Sequence, residues 1–177
     1  QTWLSLGTTS GSVAAGANTS VQTDITSSSL AAGSYSGTIT ITDPAASNSP
    51  QTVTVLLNVT AAPPATISLS PATLTFSVQQ GANPTAQSFT IDNTGGSTLS
   101  WTGTDNQTWM SLSATSGSVA AGGNTSVQTN ISSSSLAAGS YNGTITITDP
   151  AASNSPQTVA VSLTVTAAPA VIALSPD

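Results

Sequence analysis

The chain has 177 residues, no Lys, Arg, His or Cys, and six Asp as its charged side chains, giving a net charge of -6. Charged residues make up 3% of the sequence, far below the roughly 25% of an ordinary globular protein, while Ser and Thr fill roughly a third. Without cations nothing can neutralise a nucleic-acid backbone or grip an anionic membrane surface. Without Cys or His there is no thiolate nucleophile, no imidazole base and no usual zinc or copper ligand set.

Hydrophobic residues at 37% suffice for small cores, and no apolar run approaches the length of a membrane span. A surface solvated by hydroxyls and amides fits the outside of a cell better than the cytosol. The expectation is therefore an extracellular or cell-surface protein with no membrane insertion, no nucleic-acid partner and no cofactor.

In chain order, the first landmark is Gln1-Thr-Trp-Leu, which recurs 106 residues later as Gln107-Thr-Trp-Met. The match runs to Val59-Thr60 against Val165-Thr166 with about ten of sixty positions different, which makes a duplicated unit secure. Ala-Ala-Pro at 61–63 and at 167–169 closes each copy. After it comes Ile67-Ser-Leu-Ser-Pro71, answered by Ile172-Ala-Leu-Ser-Pro176. The frame that follows places the C-terminal part of one unit at 1–60, a linker at 61–65 and a complete unit at 66–166. Residues 167–177 form a linker and the first strand of a following unit, and the chain reads as a window on a longer array. Residues 1–60 lack an N-terminal half, so their completion by upstream sequence or by another molecule is expected, because open sheet edges and half-cores are costly.

Within the complete unit about seven strands are expected. Thr73–Val78 places Leu74, Phe76 and Val78 on one face, and Gln87–Asp92 buries Phe89 and Ile91 before Asn93-Thr-Gly-Gly96 turns the chain. Thr98–Gly103 buries Leu99 and Trp101. Trp109 with Leu112 forms a short strand before a turn at Ser116-Gly-Ser. Asn124–Ile131 points Val127, Thr129 and Ile131 inward. Tyr141–Thr148 alternates with a two-residue period, putting Ile145 and Ile147 on one face and Thr144, Thr146 and Thr148 on the other. Asp149–Pro156 is a loop, and Thr158–Thr166 ends the unit with Val159, Val161, Leu163 and Val165 inward. The stretch Leu136-Ala-Ala-Gly-Ser-Tyr141, repeated as Leu30 to Tyr35, has the form of a tyrosine corner, whose Tyr hydroxyl bonds upstream backbone. No segment has helical periodicity. The fold class is all-β, as tandem immunoglobulin-like β-sandwich repeats.

Phe89-Thr-Ile-Asp-Asn-Thr-Gly-Gly, Leu99-Ser-Trp-Thr, Trp109-Met-Ser-Leu, Ser116-Gly-Ser-Val, Leu136-Ala-Ala-Gly-Ser-Tyr and Ser155-Pro-Gln-Thr-Val, in that order, resemble the BACON family. Those are bacterial immunoglobulin-like domains of multidomain secreted and surface proteins. The resemblance covers the full repeat and implies a spacer between other modules, with carbohydrate association as the alternative.

Sugar binding needs an exposed aromatic platform. The seven aromatics are Trp3, Tyr35, Phe76, Phe89, Trp101, Trp109 and Tyr141, and all are expected to serve the core or the corner, with Trp109 the most exposed. Asp43 and Asp149 open Asp-Pro loops, and Asp92 and Asp105 adjoin turns, where loop chemistry accounts for them. No pair has glycosidase spacing, no cluster suits calcium, and no catalytic or metal residue is expected. Asn18, Asn58, Asn106, Asn124, Asn130 and Asn142 lie in Asn-x-Ser/Thr sequons and are candidate glycosylation sites. The functional expectation is a structural repeat of a bacterial stalk or fibre, partnered by other copies of the chain or repeat. The alternative is a carbohydrate-binding module that engages surface glycans.

Overall fold

The computed structural model describes residues 1–172. The strand expected from Ile172 onward therefore lies, past its first residue, outside the described residues. Two compact units are present, Gln1–Ala61 and Ala62–Asp177.

The first unit contains β1 (Leu4–Leu6), β2 (Thr23–Ile25), β3 (Gly33–Ile41) and β4 (Gln51–Val59). They form two separate two-stranded antiparallel sheets, β1–β2 and β3–β4.

The second unit contains nine strands among the described residues. They are β5 (Ile67–Ser70), β6 (Thr73–Gln79), β7 (Gln87–Asn93), β8 (Leu99–Asp105), β9 (Met110–Leu112), β10 (Ser116–Val119), β11 (Asn124–Ile131), β12 (Gly139–Thr148) and β13 (Gln157–Thr166). A five-stranded sheet of order β10-β8-β12-β13-β6 faces a four-stranded sheet of order β5-β7-β11-β9. All neighbours are antiparallel except β13 and β6, which run parallel. The unit is an immunoglobulin-like sandwich, and the strands alternate as a half-buried sheet requires: β13 buries Val159, Val161, Leu163 and Val165 and turns Thr158, Ala160 and Thr164 out. Leu74, Phe76, Phe89, Ile91, Leu99, Trp101, Ile145 and Ile147 join that core from both sheets.

Nine strands replace the seven expected. Ser116-Gly-Ser is strand, not turn, because it pairs with β8, with Gly117 opposite Trp101. A Cβ on Gly117 would lie 2.9 Å from the Trp101 indole, so a small, turn-like residue here makes room for a ring. Ile67–Ser70 is also a strand, paired with β7. The docked part of the unit starts before residue 66. Ala65 is in the core, the Pro63 carbonyl accepts the Ser97 hydroxyl at 2.8 Å, and the Pro64 carbonyl accepts the Gly96 N–H. The segment expected as linker is thus partly bound to the sandwich.

Two buried polar side chains fasten the ends of the sheets. Asn93 donates to the Ser97 and Val119 carbonyls and accepts from Thr66 N–H and Gly95 N–H. Asp149 accepts the Ser100 N–H at 2.7 Å and the Ala151 N–H at 2.8 Å, tying the end of β12 to β8.

Candidate functional site

The seven aromatic side chains come out as packing elements. Phe76, Phe89, Trp101, Trp109 and Trp3 are buried, and Tyr35 and Tyr141 are half-buried. Trp109, expected to be the most open ring, is 7% exposed. It meets Tyr141 edge-on at 6.4 Å, as Trp3 meets Tyr35 at 6.4 Å. The tryptophan of each pair rests over a glycine on the tyrosine's strand, Trp109 over Gly143 and Trp3 over Gly37. The Tyr141 hydroxyl donates to the Ala137 carbonyl at 2.9 Å and the Tyr35 hydroxyl to the Ala31 carbonyl at 2.8 Å. This corner is formed in both units, so it is built wholly from the C-terminal half of a repeat. The Trp101 Nε1–H is buried with no hydrogen-bond partner among the described residues.

No three His, Cys, Asp or Glu side chains gather into a metal-binding group among the described residues, and no helix there is long and apolar enough to cross a membrane. All six sequon asparagines, Asn18, Asn58, Asn106, Asn124, Asn130 and Asn142, are exposed. Asn106 already has local work, since its Oδ1 accepts the Thr144 N–H at 2.8 Å.

The feature that sequence reading left undeveloped is an open apolar face on Gln1–Ala61. The duplication supplies its own control, because each residue has a counterpart 106 positions on with the same or nearly the same neighbours. Val13, Val21, Ile25, Ile41 and Val53 are 50, 43, 42, 52 and 56% exposed. Their counterparts Val119, Val127, Ile131, Ile147 and Val159 are 3, 0, 5, 0 and 0% exposed. Full burial of a Val or Ile side chain stabilises by roughly 1.5–3 kcal/mol, so these five positions forgo about 1 kcal/mol each. A groove of about 570 Å³ runs between β1 and β3, lined by Leu4, Leu6 and Ile39 among others.

Backbone edges show the same contrast. In the closed second unit, β12 pairs with β8 on one side and β13 pairs with β6 on the other. Their counterparts β3 and β4 form a sheet of two strands, leaving both outer edges uncovered. Ser116–Val119 is a strand, but the corresponding 10–13 is not, and β11 has eight residues where β2 has three. These segments become strands when a partner strand is present; their own sequence is not enough. Leu56, 79% exposed, lies on the opposite face of β4, at the position of Ser162.

No family model and no curated protein matches the chain. Among solved structures it is similar to the Bacteroides ovatus GH5 xyloglucanase in complex with a XXXG heptasaccharide, at 17% identity and a TM-score of 0.44, covering 60% of this chain and 20% of that one. It is also similar to PapD-like domain 7 of human CEP192, at 13% identity and a TM-score of 0.45, covering 58% and 87%. A third is the CsuC–CsuE chaperone–tip adhesion subunit complex of Acinetobacter baumannii Csu pili, at 14% identity and a TM-score of 0.46, covering 56% and 57%. The chain spans one fifth of the first of these and just over half of the third. At such identities the likeness is one of fold and transfers no activity.

Proposed function

We propose that the chain is a structural repeat of the BACON type from an extracellular bacterial stalk or fibre, with its open half unit completed by a neighbouring segment. One observation carries this reading above the others: every aromatic ring is engaged in a core or a corner, which leaves the closed sandwich an outer surface rich in hydroxyls and amides. Such a surface has no ring on which a sugar can stack and few charges with which to steer a ligand. The repeat then acts through length and packing, each sandwich contacting its neighbours in a quasi-one-dimensional array. A charge-poor, hydroxyl-rich exterior lets such arrays lie side by side without strong repulsion.

The chain carries out no catalysis on this reading. Asp149, its buried carboxylate, is committed to two backbone N–H groups, and the remaining described carboxylates are scattered, Asp24, Asp92 and Asp105 on three different strands and Asp43 in a loop.

Electron microscopy of the native material tests the proposal. Beaded stalks or filaments are expected, with a repeat set by one sandwich per hundred or so residues. Dispersed globular particles that bind on a glycan array, and lose that binding on Trp109→Ala without unfolding, would replace it with the carbohydrate-binding alternative.

A further inference from the structure

We propose that Gln1–Ala61 is a receptor for one kind of partner: a polypeptide segment carrying this repeat's own N-terminal-half pattern, the four strands that β5 to β8 supply in the closed unit. Asn48, Asp43 and Gly11 are the residues that recognise it. This deepens the structural-repeat reading and rests on it.

The closed unit shows what each of those residues is for. Asn154 grips the backbone of β5 with both ends of its amide, Oδ1 accepting the Ile67 N–H and Nδ2 donating to the Ile67 carbonyl, each at 2.8 Å. Its counterpart Asn48 is exposed, in the same Ala-Ala-Ser-Asn-Ser-Pro loop. Asp149 accepts the Ser100 N–H of β8 and is 3% exposed, whereas its counterpart Asp43 is exposed and accepts the Ala45 N–H. Gly117 has the Trp101 indole 2.9 Å from where its Cβ would stand; at Gly11 a Cβ would meet nothing within 4 Å. The glycine that makes room for an indole is therefore present where no described residue supplies one.

Three incoming strands have their places set by the closed unit. A β6-like strand lies parallel to Thr54–Thr60, as Thr73–Gln79 does to Ala160–Thr166. A β8-like strand enters between residues 10–13 and Ile39–Thr42, as Leu99–Asp105 does between β10 and β12. A β7-like strand pairs with 18–23, as Gln87–Asp92 does with Asn124–Thr129. Main-chain pairing on several edges gives affinity, and the apolar face with the Gly11 slot gives selectivity.

The test uses the full chain and, as probe, a separate polypeptide of residues 62–106. One probe is expected to bind per chain and to raise hydrogen-exchange protection at Ile41 and Val53 at least a hundredfold. Asn48→Ala and Gly11→Leu should each weaken capture at least tenfold while leaving the free chain's exchange unchanged, and Asn142→Ala should leave capture as it was. In a second arm, residues 62–106 are joined directly ahead of Gln1, recreating the Asn106–Gln107 junction. There, protection at Ile41 should come within tenfold of that at Ile147, and this arm alone decides if the free probe precipitates. Three results would overturn the proposal: no gain of protection in the joined chain, a gain indifferent to Asn48→Ala and Gly11→Leu, or a stable dimer of the unmodified chain that occludes Ile41 and Val53. Failure here would leave fibres in micrographs untouched, and glycan binding would sink the spacer reading without altering these protections.

Discussion

Ile147→Ala and Ile41→Ala are the same substitution at equivalent positions of one repeat, and their costs should differ severalfold. Ile147 is fully buried, pairs opposite Gly103 and packs its Cδ1 over that glycine. Truncating it removes the transfer term and leaves a cavity between two close-packed sheets, which costs about 2–5 kcal/mol. Ile41 is 52% exposed, so about half of the transfer term is absent from the start and solvent fills the space vacated. Its truncation should cost less than about 1 kcal/mol. The assay is urea unfolding of the 177-residue chain, followed by hydrogen exchange with mass-spectrometric readout so that each unit reports separately. With a denaturant slope of about 1–3 kcal/mol/M, Ile147→Ala should lower the second unit's midpoint by about 1–3 M. Ile41→Ala should move the first unit's transition by a few tenths of that. Equal losses at the two positions would refute the reasoning, because they would mean the first unit's face is a core after all.

Further matched pairs follow from the same comparison. Gly117→Ala forces a methyl against the Trp101 ring and should destabilise the second unit by about 1–3 kcal/mol in the same urea assay, whereas Gly11→Ala should be neutral. Asp149→Ala strands the Ser100 N–H and should cost about 1–3 kcal/mol, against within about 0.5 kcal/mol for the exposed Asp43→Ala. Tyr141→Phe and Tyr35→Phe each lose one hydroxyl-to-carbonyl bond and should each cost about 0.5–1.5 kcal/mol, because the corner is complete in both units. With no Lys or Arg the chain should resist trypsin, while thermolysin, which cuts at apolar side chains, should cleave within 1–61 well before 66–166.

Periodicity carried most of the fold. The alternation in β11, β12 and β13 located strands nearly to the residue, and the Leu-x-x-Gly-x-Tyr spacing located the corner, because both signals are local. What it missed was set by partners distant in sequence. Ser116-Gly-Ser reads as a turn until a tryptophan fifteen or so residues upstream needs its glycine. Asn154 reads as loop filler until its amide is seen on the backbone of Ile67, 87 residues away. The open face was foreshadowed by the missing N-terminal half. Its recognition residues were not, since Asn48 and Gly11 are unremarkable loop residues whose role shows only beside their counterparts in a closed sandwich.

Hydrogen exchange of the unmodified chain at low concentration addresses the central claim directly, since it compares amides of identical or nearly identical local sequence in a closed and an open setting. Amides of Ile39, Ile41, Val53 and Val55 should exchange at least a hundredfold faster than those of Ile145, Ile147, Val159 and Val161. Uniform protection across the two sets in a monomeric chain would contradict the account.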